Sequence, residues 1–202
     1  IAEGLVSHAE DATDSYLPLM IWYGIESAVA TDTTAALKLA AASRLPLVRR
    51  HIARRVIDIE APPIVDVVDA ASNNPDETIR LDLLQGMLDA LDGRGQQSAP
   101  DSWGRLYSQV SSARQPLLRS VAVRLAIIFG DQSAIARLRE TTLDQTNVAG
   151  DRLDALGALL QVKSGAPVEM LHQLVAEDAA LRHEALRALV INNAPATARV
   201  LL

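Results

Sequence analysis

His8, Asp11 and Asp14 stand three residues apart and are the first side chains in the chain whose types can do chemistry together. One imidazole and two carboxylates on the same side of a turn can hold a divalent cation or share a proton, though no further fixed donor accompanies them. They adjoin the stretch EDATDSYLPLMIWYGIE, residues 10–26, which also gathers Tyr16, Trp22 and Tyr23. A structural reading accounts for the same residues. Asp11, Thr13, Asp14 and Ser15 form turns and caps, carboxylates are favoured at the positive end of a following helix, and Pro18 fits its first turn. Leu17, Met20, Ile21, Gly24, Ile25 and Ala28 then predict an apolar helix face, with Gly24 admitting a close neighbour and Trp22 and Tyr23 filling a gap between units. The sequence favours capping over a metal or acid–base site.

RRHIARR, residues 49–55, is the one dense basic cluster and carries Arg49, Arg50, Arg54 and Arg55. At about 100° per residue these four spread over more than half of a helix circumference. They read as a surface for interaction, paired with Asp58, Glu60, Asp66 and Asp69, rather than as a coherent nucleic-acid stripe. His51, His172 and His183 lie singly on helical patterns, and the last two are placed to meet across a groove. Ser7, Ser43 and Ser108 lack the setting of a nucleophile elbow. DGRGQQ, residues 92–97, has neither the spacing nor the preceding strand of a phosphate loop.

These side chains must be positioned by helices. The chain has 202 residues, is 49% hydrophobic and has a formal charge of −6. Alanine and leucine dominate its apolar content, and period-two alternation is scarce, so an all-α fold is expected. A net acidic balance weighs against nucleic acid as a partner. Of the 19 basic residues only Lys38 and Lys163 are lysines, and there is no cysteine. Thiolate zinc sites, disulfides, thiol nucleophiles and covalent c-type haem attachment are thereby excluded from these residues. No apolar run approaches the roughly 18–20 residues needed to cross a bilayer. The opening Ile1 and the uncapped ending ATARVLL predict an internal piece of a longer chain.

Helical patterns follow one another over 17–30, 32–43, 46–59, 62–72, 76–91, 101–112, 116–129, 131–142, 148–162, 167–177, 179–193 and 195–202, with 93–104 the evident loop. Asp32 reads as an N-cap, Pro46 as a first-turn proline and Gly93 as a helix stop. PLVRRHIARRVID at 46, PLLRSVAVRLAIIFGD at 116 and AALRHEALRALVINN at 179 share a small or proline start, an arginine, then alanine and leucine at helical spacing. The series Arg49, Arg80, Arg119, Arg152 and Arg182 advances by 31, 39, 33 and 30 residues. Two helices per period of this length predict stacked pairs, each covering an apolar stripe that its neighbour cannot cover alone. Over 46–202 the pattern resembles HEAT repeats.

The opening segment with ALKLAAASRLPLVRRHIARR after it resembles the helical-repeat part of the membrane-bound dehydrogenase family, large multi-domain proteins also described as haem-binding CxxCH-type proteins. The family's acidic turn, proline, tryptophan and acid fall here on Glu10, Asp11, Asp14, Pro18, Trp22 and Glu26, and its Arg-rich helix on Arg49, Arg50, Arg54 and Arg55. The resemblance implies a segment between a sugar-dehydrogenase-like propeller and a cytochrome c module, in an exported or periplasmic protein. It places haem c elsewhere in the parent chain.

The expected fold is an all-α, right-handed α-solenoid of HEAT- or armadillo-like helical pairs, with about five or six repeats in a single domain, 1–202. Residues 1–45 would supply family-like N-terminal helices and 46–202 the repeats. The expected role is a non-catalytic scaffold for a protein partner or for other domains of its own chain. No cofactor, nucleic acid or membrane insertion is expected for this segment. Two other readings are a substrate or metal site to which His8, Asp11 and Asp14 contribute beside Trp22, and a nucleic-acid-binding HEAT protein.

Overall fold

Helix after helix begins at a proline or a capping carboxylate and ends within a few turns. The computed structural model describes residues 1–161 and 165–191. They form α1 (Ala2–Leu5), a 3-10 turn (Ala9–Thr13), α2 (Leu17–Thr31), α3 (Thr33–Ala42), α4 (Pro46–Ile57), α5 (Ile64–Asn73), α6 (Glu77–Leu91), α7 (Trp103–Val110), α8 (Pro116–Ile128), α9 (Gln132–Leu143), α10 (Ala149–Leu160), α11 (Val168–Glu177) and α12 (Arg182–Ile191). No strand occurs among the described residues, and the protein is all-α there. The helices expected from 17 to 193 lie within three residues of these bounds wherever both are described. The helix expected over 195–202 lies outside the described residues.

Local chemistry sets the ends. Prolines occupy the first turns of α2, α4 and α8, where a missing N–H breaks no helical bond. Asp32 accepts from the Ala35 N–H to cap α3, and Asp76 accepts from Thr78 N–H to cap α6. Gly93, with φ +78°, takes the left-handed conformation just beyond α6.

The chain forms two compact units, residues 1–129 and 130–202. In the first, α4 packs against α2 and α6, and α6 against α8, while α3 packs on α5 and α5 on α7. Each of α4, α6 and α8 also packs on the helix before it. Val48, Ile52 and Val56 of α4, Leu83, Leu84 and Met87 of α6, and Leu118 and Leu125 of α8 have no exposed surface. At roughly 1.5–3 kcal/mol for each fully buried side chain of this size, the shared core is what makes such short helices stable. In the second unit α9 packs on α10 and α11 on α12.

The recurring arginine has one structural job in all five pairs. It sits near the start of the second helix and reaches back to a carbonyl in the last turn of the first or within three residues beyond it. Arg49 Nη1 donates to Ser43 O at 2.8 Å, Arg80 Nε to Asn74 O at 2.5 Å, and Arg119 Nη1 to Ala113 O at 2.7 Å. Arg152 Nε donates to Thr142 O at 3.0 Å, and Arg182 Nε to Val175 O at 2.8 Å. Helix C-termini leave carbonyls without an internal partner and carry partial negative charge, so a guanidinium there both bonds and neutralises.

Two of these arginines also reach the following pair. Arg49, only 5% exposed, holds Asp82 of α6 at 2.6 Å through Nε and Nη2. Burial pushes the Asp82 carboxyl up, and the Arg49 guanidinium offsets only part of that. Arg152 holds the buried Asp178 before α12. Glu77 adds a link of another kind, accepting from the N–H groups of Arg114 and Gln115 ahead of α8 at 3.1 Å each.

Three sequence expectations are corrected. The buried face of α2 is Pro18, Trp22, Ile25 and Val29, while Leu17, Met20 and Tyr23 are exposed. Apolar residues surround this helix, so periodicity alone could not select the packed side. Gly24 meets nothing within 4 Å. The close approach is made instead by Gly86 of α6, where a Cβ would overlap the Arg50 carbonyl and the Ala53 methyl of α4. Of the acidic partners expected for the arginine cluster only Asp58 is right, pairing with Arg54 at 3.5 Å, since Arg49 and Arg50 pair with Asp82 and Asp89 of α6.

Glycine substitutions at the two positions should therefore differ in effect. Gly86→Ala should lower the unfolding free energy of the chain by about 2 kcal/mol or more in urea titration. Gly24→Ala should leave it unchanged or raise it by up to about 1 kcal/mol. Burial pushes the Asp178 carboxyl up, but the hydrogen bonds from Arg152, Leu181 N–H and Ala180 N–H outweigh it and hold the pKa below the usual range. Its stabilisation is complete above the ordinary carboxylate pKa and lost as pH falls through the depressed value. Asp178→Ala should cost about 3 kcal/mol at neutral pH by leaving Arg152 buried and unpaired, and the difference from wild type should shrink below about pH 4.

Candidate functional site

The acidic turn at the start of the chain is built as a cap. Asp14 Oδ1 accepts the N–H groups of Tyr16 and Leu17 at 2.8 Å each, and those two bonds hold its carboxyl below the usual range. His8 Nδ1 pairs with Glu10 at 2.9 Å, which raises the imidazole pKa and lowers that of Glu10. Asp11 contributes its carbonyl to the N–H of Asp14. No group of three or more His, Asp and Glu side chains placed to hold a metal ion occurs among the described residues, so His8, Asp11 and Asp14 are not assembled as ligands. Pro18 is buried in the first turn of α2. His172 buries Nε2 without a hydrogen-bond partner among the described residues, while His183 is exposed on α12.

The later part of the stretch does converge with the basic cluster. Trp22 and Glu26, one turn apart on α2, face His51, Arg54, Arg55 and Asp58 across a niche of about 240 Å³. The α4-side residues fall at i, i+3, i+4 and i+7, which places them on one side of that helix and its C-terminal extension. Trp22 is 6% exposed and its ring stacks on His51, with centroids 5.2 Å apart and planes 18° from parallel. This stack makes one flat wall.

Charge around the niche is unevenly satisfied. Asp58 receives Arg94 Nη2 at 2.5 Å and faces Arg54 at 3.5 Å, while Arg50 is bound to Asp89 at 2.5 Å. Arg55 has a buried Nε with no hydrogen-bond partner among the described residues. Burial lowers the His51 pKa, reinforced by Arg54 and Arg50 and opposed by Asp89 and Glu26. The imidazole at the wall is therefore neutral near pH 7.

Arg49 does not belong to any interaction surface, because its guanidinium is spent on Ser43 and Asp82 inside the fold. Arg50, Arg54 and Arg55 remain at or near the surface of α4. Sequence reasoning marked Trp22, Glu26, Arg54 and Arg55 and paired the arginines with Asp58, but read His51 as an isolated helical side chain rather than as their companion. The i, i+3, i+4, i+7 spacing was the available signal. No protein-family model, curated protein or solved structure matches this chain.

The two imidazoles should separate in an NMR pH titration. His8 should titrate above about 6.5 and His51 below it. Glu10→Gln should bring His8 back toward the ordinary value without moving His51. For a depressed histidine, stability is complete above the ordinary pKa and lost as pH falls from there to the folded value. His51→Gln should accordingly flatten the stability profile just below about pH 6.5.

Proposed function

We propose that this chain is a non-catalytic helical-repeat scaffold, a right-handed α-solenoid of HEAT-like pairs that holds a protein partner or other domains of its own chain. The five arginine bonds from second helix to first support the repeat reading, because one recurs near the junction of each successive pair. An array of this kind fixes distances that a flexible linker leaves loose. No helix among the described residues is long and apolar enough to cross a membrane.

The observation that carries the docking role is a stripe on α2. Tyr16, Met20 and Tyr23 are 76%, 64% and 61% exposed and follow one another at i, i+4 and i+7. Large apolar side chains aligned in this way are a signature of interaction surfaces. On the resemblance to the membrane-bound dehydrogenase family, the scaffold spaces a dehydrogenase-like propeller from a cytochrome c module in an exported protein, and the stripe meets one of them.

Photo-crosslinking groups placed at positions 20 and 23 of the parent protein should join α2 to one defined protein or domain. The same group at exposed Gln173 should not. Met20→Glu with Tyr23→Glu should reduce the crosslink at position 16 at least about tenfold, while thermal stability shifts by no more than about 0.5 kcal/mol, as expected of exposed positions. Equal crosslinking from all sites, or turnover of a substrate by this chain alone, would overturn the proposal.

A further inference from the structure

The niche between α2 and α4 holds two opposite charges that make no ion pair among the described residues. Arg55 lines it and buries its Nε without a hydrogen-bond partner, and Glu26 lines the opposite side without a hydrogen bond or ion pair among the described residues. The neighbouring charges are committed elsewhere, Asp58 to Arg94 and Arg54, and Arg50 to Asp89. A guanidinium without an ion pair is best satisfied by a carboxylate bound through two N–H groups. An anion alone would meet Arg55 and be repelled by Glu26. A cation alone would do the reverse. A ligand carrying both charges satisfies each.

Size and shape narrow the class. The niche encloses about 240 Å³, below the roughly 300–1,000 Å³ of pockets for drug-sized ligands, and so suits a handful of heavy atoms. Trp22, stacked on His51 and 6% exposed, closes the niche with a flat apolar wall beside Glu26. We propose that this niche binds a small zwitterion of the amino-acid type, its carboxylate on Arg55 and its ammonium group between Glu26 and Trp22. The site is independent of the apolar stripe on α2.

The test follows the indole N–H of Trp22 and the Nε–H of Arg55 by ¹⁵N NMR in the whole chain at fixed ionic strength. L-alanine, acetate and methylammonium are titrated separately. Both signals should shift saturably with L-alanine, and the affinity for acetate or methylammonium should be at least about tenfold weaker, one paired charge being worth that much in a part-buried site. Glu26→Gln and Arg55→Gln should each abolish the L-alanine shift, and Glu26→Gln, the less intrusive change, should do so with an unchanged melting temperature. No saturable shift with L-alanine, a shift equally strong with acetate, or a shift that survives Glu26→Gln would overturn the proposal. Crosslinking from the α2 stripe should be the same with and without L-alanine, which separates failure here from failure of the scaffold reading.

Discussion

A helix that ends inside a packed protein leaves its last carbonyls without partners, and this chain ends a helix about every fifteen residues. The arginine near the start of each second helix resolves that constraint. It returns to the end of the first helix and turns two short helices into one hydrogen-bonded pair. Burial then joins the pairs. In residues 1–129 the α4–α6 contact is close enough that Gly86 cannot bear a side chain, and in both units a carboxylate of the next pair, Asp82 or Asp178, meets the staple arginine of the one before.

Much of this was legible because it is local. Proline, aspartate and glycine mark helix ends through their own backbone chemistry, so Pro46, Asp32 and Gly93 fell where expected. The arginine series was visible as a period, though its physical cause was not, since a carbonyl several residues back carries no sequence signature. What failed depends on neighbours. α2 is apolar on several sides, and which side is covered is decided by α4, so Trp22 is buried while Met20 and Tyr23 are exposed. The partners of Arg49 and Arg50 lie on α6, more than thirty residues away, and the sequence offered nearer acids. Gly24 and Gly86 look alike in sequence and differ only in what stands opposite them.

The helix α2 consequently has a buried face and an exposed one. Pro18, Trp22, Ile25 and Val29 are buried, with Trp22 stacked on His51 of α4 at the edge of a charged niche. Tyr16, Met20 and Tyr23 remain outward. Asp14 before it serves to start the helix, since its carboxylate is already occupied by two backbone N–H groups.

Amide hydrogen exchange on Arg119→Met tests most directly whether the staple makes each pair a unit. The side chain of Arg119 bonds the carbonyls of Ala113 and Arg114 and reaches no carboxylate among the described residues, so its loss removes the staple alone. The account predicts that amides in the last turn of α7 and the first turn of α8 exchange about tenfold faster, the loss of a charged hydrogen bond, while α3 to α6 keep their protection. Unchanged exchange at the α7–α8 junction, or an equal loss throughout residues 1–129, would contradict it.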